Sequence, residues 1–219
     1  MPGSQRYPVF HFDHLPNFSM SEIRYAHPKV SALLVLAGVI ILIAIGGAEV
    51  GQTLRYERET ILSGQFWRLI TGSLVHLDWS HLLLNVTGLI MISAVFGQVL
   101  NVRGWLIVSV VCALGVGLGL LFFNPFVNFY VGFSGILHGL FAASLMVESD
   151  IQQRTRTVML GLLLSKLLWE QTQGPLPGTA AAAGGNVIVD AHLYGAVTGI
   201  VLGGIIFLAT RRAVRSLSE

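Results

Sequence analysis

Six apolar stretches alternate with polar or charged ones along the chain, and the alternation predicts a bundle of membrane-crossing helices. A helix needs about 20 apolar residues to cross the hydrocarbon core. Residues 30–48, 76–100 and 104–123 meet this as the first three spans. The fourth, 132–147, is short for a full crossing, so its leading end is expected to start below the membrane surface. The fifth and sixth run over 157–169 and 187–210. Between the first two lies a charged segment, 49–65, long enough for short interfacial helices, followed by Phe66, Trp67 and Arg68 as an anchor at the membrane surface. Asn124 and Pro125 break the chain after the third span, 148–156 is a charged turn, and 171–186 is a Gly/Pro/Ala-rich loop. The pattern divides the chain into a cytoplasmic N-terminal tail (1–29), one six-helix domain (30–210) without a tandem repeat, and a short basic tail (211–219). The first apolar run starts late for a cleavable signal and no cleavage pattern follows it, so it reads as a retained span.

Composition agrees with this all-α, polytopic membrane reading. Hydrophobic residues make up 53% of the 219 and charged ones only 11%, where a soluble domain carries about 25%. A net charge of +2 gives no footing for nucleic-acid binding. The distribution of charge is more informative. With the N-terminus inside, Arg6, Arg24, Lys29, Arg103, Arg154, Arg156, Arg211, Arg212 and Arg215 fall on the inner side, against Arg55, Arg58 and Arg68 outside. That asymmetry follows the positive-inside rule, places both termini in the cytoplasm and turns the leading end of span four outward. The lone Cys112 cannot form an internal disulfide, and no cysteine cluster offers a metal site. His11, His14 and His27 stand beside prolines in the tail and read as solvated.

Polar groups inside the spans need a reason, because an ionisable side chain at the bilayer centre costs about 2.5–3.5 kcal/mol. Ser134 opens span four in the run Tyr130 to Gly139, and His138 follows one helical turn later on the same face. His81 and Asn85 share a face of span two, with His76 nearer the surface. His192 on span six precedes Gly195, Gly199 and Gly203, a ridge of small residues that lets another helix backbone approach. If spans four and six meet through their glycines, Ser134 and His192 come together as a nucleophile and a base. Taken singly these residues have bland readings: glycines pack any membrane bundle, and a buried asparagine often only bonds a neighbouring helix. Their coincidence near one leaflet on three helices favours chemistry. Lys166 and Glu170, one turn apart on span five, read as a structural ion pair near the surface, with contact to substrate as the alternative. Asp190, two residues before His192, points to another face and is left out of the catalytic set.

These motifs resemble the rhomboid family of intramembrane serine proteases. Gly132-Phe133-Ser134-Gly135 matches the family's nucleophile motif, Ala191-His192 its base, and His81-Leu82-Leu83-Leu84-Asn85 its oxyanion-stabilising motif. Trp67-Arg68 looks like the family's loop-one motif, and the likeness covers about residues 65–203. One departure stands out: the family often has a tyrosine one turn after the serine, and here that residue is His138. GFSGILHGL with DAHLYG is similar to the rhombosortase subgroup, whose substrates carry a C-terminal Gly-Gly motif, an apolar helix and a basic end.

The resemblance implies a six-helix rhomboid-like bundle in a bacterial inner membrane, with its active site toward the periplasm. It further implies a Ser134–His192 dyad that cuts transmembrane substrates at such a signal. The Ser134 backbone N–H, His81 and Asn85 would hold the oxyanion, with neither a metal nor an organic cofactor. His138 is left with two roles, a competing base or an orienter of His192. Span five and the 171–186 loop are candidate gates. Two other readings remain: a non-proteolytic relative that binds transmembrane helices in the same cavity, and a haem carrier using intramembrane histidines.

Overall fold

The computed structural model describes residues 20–148 and 152–217. Among these the chain begins with α1 (Met20–Ile45), so residues 20–29, expected in the loose tail, already belong to a helix. Ala32, Leu36 and Ile40 recur every four residues on its buried stripe, while Leu34 and Leu42 face outward. α2 (Gly47–Leu54) follows at 115° to it.

The segment expected as a loop is organised by backbone hydrogen bonding. β1 (Tyr56–Glu57) leads into α3 (Arg58–Leu62) and α4 (Arg68–Thr71). β1 pairs antiparallel with β2 (Phe129–Tyr130), Tyr56 opposite Tyr130, the one short departure from an all-helical fold among the described residues. Phe66 and Trp67 are exposed, but Arg68 is a correction to the expected surface anchor: it is buried. Its guanidinium donates to Gln65 Oε1 at 2.7 Å and to the carbonyls of Gln52 and Arg55 at 2.8 Å each. A planar fork can satisfy three acceptors at once, so Arg68 ties the segment into one piece.

Five longer helices and a short one complete the bundle. α5 (Trp79–Phe96) is capped by Asp78, which accepts from the His81 backbone N–H, and α6 (Val102–Phe123) by Asn101, which accepts from Gly104. α7 (Ser134–Val147) runs through the centre, with Ile136, Leu140, Ala142, Ala143 and Leu145 fully enclosed. α8 (Gln153–Gln173) lies outside it, then α9 (Thr179–Ala182), and α10 (Asp190–Leu217) closes the bundle against α7. α10 carries residues 211–217 of the expected basic tail as its own last turns, and 218–219 lie outside the described residues.

The bundle's outer surface is apolar. Leu83, Met91, Val110, Leu162, Val201 and Ile205 are each at least half exposed, a surface suited to lipid rather than water. This is an integral membrane protein. All six stretches expected to cross become helices, yet by length and apolarity three are sufficient, α5, α6 and residues 190–213 of α10. The bent α1–α2 pair makes a fourth. α7 is too short at 14 residues, and α8 is long enough at 21 but too polar, so six full crossings are not established by the helices themselves.

Candidate active site

The nucleophile candidate sits at the first residue of α7, and the backbone before it explains why. Gly132 has φ +135°, a conformation that side chains rarely adopt. A Cβ there would also lie 3.0 Å from His81 Cε1, so the glycine lets the chain pass over the His81 ring. The turn is held by the Tyr130 hydroxyl, which donates to the Gly132 carbonyl at 2.6 Å. Beyond it the helix begins, and its first N–H groups have no partner within the helix. Ser134 thus stands at the positive end of a helix dipole.

The base candidate comes from the start of α10. Tyr194 donates to Asn124 Oδ1 at 2.6 Å, and Asn124 Nδ2 donates to Asp190 at 2.9 Å, which ties the end of α6 to the first turn of α10. Asp190 is thus engaged away from His192. Below this knot, α10 and α7 touch backbone to backbone. A Cβ on Gly195, Gly199 or Gly203 would fall on the carbonyl of Gly135, Gly139 or Ala143 respectively. With the helices this close, Ser134 Oγ lies 2.9 Å from His192 Nε2.

His138 hydrogen-bonds the Ser134 carbonyl and meets His192 only ring to ring. Its Nδ1 lies 2.7 Å from the Ser134 carbonyl, which can only accept, so Nδ1 carries the proton. The ring stacks on His192 with centroids 4.3 Å apart and planes 19° off parallel. It supports the His192 ring by its face and makes no hydrogen bond to it.

α5 supplies the opposite wall. Asn85 is buried and donates to the His81 carbonyl at 3.1 Å. The His81 ring meets His76 edge-on at 5.1 Å, and its Nδ1 is buried without a protein partner. His81, Asn85, Ser134 and His192 all line one cavity of about 170 Å³. The segment between α8 and α10 lines it with Thr179, Ala183 and Val187.

Sequence reasoning missed one member of this site. Glu170 is 2% exposed, and its Oε2 lies 2.9 Å from His192 Nδ1 and 2.7 Å from Lys166 Nζ. The expected surface pair of Lys166 and Glu170 exists as a pair, but Glu170 faces the interior. Glu170 falls at helical spacing with Leu163 and Leu167, the stripe of α8 that the structure buries. A carboxylate can only accept, so Nδ1 of His192 carries the proton and Nε2 is left bare toward Ser134. Lys166 Nζ also comes within 3.5 Å of Nδ1. Both groups are donors there, so this is a proximity of charge and not a hydrogen bond.

Donor atoms of His138, Glu170 and His192 lie within 4.8 Å of one another, the one possible metal-binding group among the described residues. His138 Nδ1 is already engaged with the Ser134 carbonyl and His192 Nε2 with Ser134 Oγ, and Glu170 already accepts from His192. The arrangement therefore suits the handling of a proton better than chelation of an ion.

Two comparisons bear on this site. Residues 63–209 match the Rhomboid domain. The "Putative rhomboid protease YdcA" of Bacillus subtilis (strain 168) is 24% identical over 160 residues, covering 71% of this chain and 73% of that protein. The domain match takes in every residue of the cavity wall described above.

Proposed function

The chain belongs to the rhomboid family, and we propose that it is an intramembrane serine endopeptidase working through a Ser134–His192 dyad. Rhomboid proteases act on transmembrane proteins within the bilayer. One observation carries the reading here: Ser134 Oγ and His192 Nε2 are 2.9 Å apart in a cavity that His81 and Asn85 also line. Such a distance is within reach for direct proton transfer.

In this mechanism Ser134 Oγ attacks a substrate carbonyl carbon while its proton passes to His192 Nε2. The new C–O bond leaves a tetrahedral oxyanion, which accepts hydrogen bonds from the Ser134 backbone N–H and from the side chains of His81 and Asn85. Each such donor is worth about 10²–10³ in rate. The C–N bond then breaks, and His192 returns its proton to the departing amine. Water repeats the sequence on the acyl-enzyme: its proton goes to His192, its oxygen to the carbonyl, and Ser134 recovers its hydrogen. His138, stacked on His192, limits the ring's tilt and is not the base.

The finer reading is that of a rhombosortase. Its substrate would be a periplasmic protein with a C-terminal Gly-Gly motif, an apolar helix and a basic end. A helical peptide conceals its carbonyls, and each glycine lowers helix stability by about 1 kcal/mol relative to alanine, which opens the site to attack. The protease domain spans residues 30–210 and crosses a bacterial inner membrane six times, with the short α7 sheltered by its neighbours. Both termini are cytoplasmic and Ser134 lies toward the periplasm, as the arginine distribution supports.

The test is cleavage of a reporter bearing such a tail, co-expressed with wild type, Ser134→Ala or His192→Ala. Cutting that both substitutions abolish is expected. Cutting of a general rhomboid substrate but not this tail would remove the rhombosortase reading alone. No cutting of either would favour a non-proteolytic helix-binding relative.

A further inference from the structure

The buried carboxylate on α8 has no part in the dyad reading, yet it lies against the dyad. Its position is costly. Glu170 is 2% exposed inside an apolar bundle, and burying a carboxylate is unfavourable unless it is well partnered. A single oxygen, Oε2, takes both partners, Lys166 Nζ at 2.7 Å and His192 Nδ1 at 2.9 Å. A partner that merely offset the buried charge would need to be only the lysine, which lies one turn away on the same helix. The second contact goes to the one ring nitrogen that decides which tautomer the base adopts.

We propose that Glu170 is a positioning residue, so that the site works as a Ser134–His192–Glu170 triad with Lys166 as the counter-charge of the acid. This rests on the proteolytic reading above. Glu170 keeps the proton of His192 on Nδ1, which leaves Nε2 free to take the Ser134 proton. During attack the ring becomes an imidazolium, and the carboxylate 2.9 Å away stabilises it without taking its proton. Charge then closes within the site: oxyanion and Glu170 negative, imidazolium and Lys166 positive. Lys166 balances the acid before the reaction starts, so the resting cavity holds a neutral pair beside a neutral imidazole. The other titratable groups near His192 are His138, stacked on it from α7, and His81, across the cavity on α5.

The experiment uses full-length protein in detergent and a fluorophosphonate probe, which reports Ser134 reactivity without a peptide substrate. Wild type is expected to label at Ser134, and Ser134→Ala is the blank. Glu170→Gln should slow labelling by about 10²-fold or more, because an amide can turn its NH2 toward Nδ1 and select the unproductive tautomer. The rise of its rate with pH should also move to lower pH, since the imidazolium has lost its carboxylate. Glu170→Asp should recover part of the rate. Labelling of Glu170→Gln within about threefold of wild type, with an unshifted pH profile, would overturn the proposal.

A second measurement needs no folded variant at position 170. Nitrogen NMR of histidine-labelled wild type, with His192 assigned by loss of its signal in His192→Gln, should show the Nδ1-protonated tautomer. The opposite tautomer would overturn the proposal. Absence of probe labelling in wild type with the expected tautomer would instead sink the nucleophile reading and leave the Glu170–His192 bond standing.

Discussion

Two walls of the same cavity are built on different physical terms. Along the α7–α10 seam, glycines bring backbones into contact, and nothing larger than hydrogen fits at Gly195 or Gly199. α8, by contrast, runs 21 residues and buries only Leu163, Leu167 and Glu170. Lipid offers no hydrophobic drive between helices, so close packing and hydrogen bonding are what hold them. The seam has close packing throughout its length. α8 relies on a few side chains and on the polar link from Glu170 to His192. The Ser134–His192 distance is therefore fixed by backbone contact, whereas the third member reaches the site from a helix with little else to hold it.

The seam should fail first and most completely. Gly199→Leu places a side chain on the Gly139 carbonyl, and overpacking of this kind costs about 1–3 kcal/mol or more, since backbone cannot yield as a side chain can. We expect a marked fall in thermal midpoint in detergent and loss of probe labelling at Ser134. Gly204→Leu is the matched control, because a Cβ there meets nothing within 4 Å. Equal tolerance of the two substitutions, measured by midpoint, would erase the distinction between the walls.

A weaker effect is expected on α8. Leu167 packs with Leu163 against Ala142 of α7 and Ala196 of α10. It lies one turn before the position that presents Glu170. Leu167→Ala should lower the midpoint by less than half the fall seen in Gly199→Leu. Probe labelling should slow by about 5-fold, the rate equivalent of roughly 1 kcal/mol lost in holding the acid against His192. A large midpoint drop with unchanged labelling would mean that α8 is a stability element and not a positioning one.

The same contrast explains what the sequence alone makes legible. Ser134, His138, His81 and Asn85 lie on regular helices, where spacing alone puts them on a face, and the glycine ridge of α10 announces a close neighbour. The cavity that gathers them follows from those periodicities. Glu170 was legible as an ion-pair partner of Lys166 but not as a partner of His192. Local spacing identifies an i,i+4 pair, while the rotation of α8 that turns Glu170 inward is set by packing of Leu163 and Leu167 on other helices. Arg68 escaped for a related reason. Its acceptors are mainly backbone carbonyls of Gln52 and Arg55, which carry no residue-type signal, so a Trp-Arg pair read as a membrane anchor. The β1–β2 pairing is two residues long and leaves no periodicity to detect.

The smallest effect is expected where the loop after α8 meets α5. A Cβ on Gly184 would fall on the Asp78 carboxylate, so the loop rests directly on this cap. Asp78 accepts from the His81 backbone N–H at 2.8 Å and from Ser80 Oγ at 2.7 Å, and these bonds, the first above all, hold its pKa below the usual 3.8. A lowered folded pKa means that the charged form stabilises the fold. That contribution is complete above the unfolded value and fades as pH falls through the folded one. The midpoint gap between wild type and Asp78→Ala should therefore be constant above about pH 5 and narrow on further acidification. Asp78→Asn caps without titrating, so its gap to Asp78→Ala should stay flat. A flat gap for wild type as well would mean that the cap acts through its shape and not its charge. The loosely held wall would then owe its attachment at this end to the close fit of Gly184.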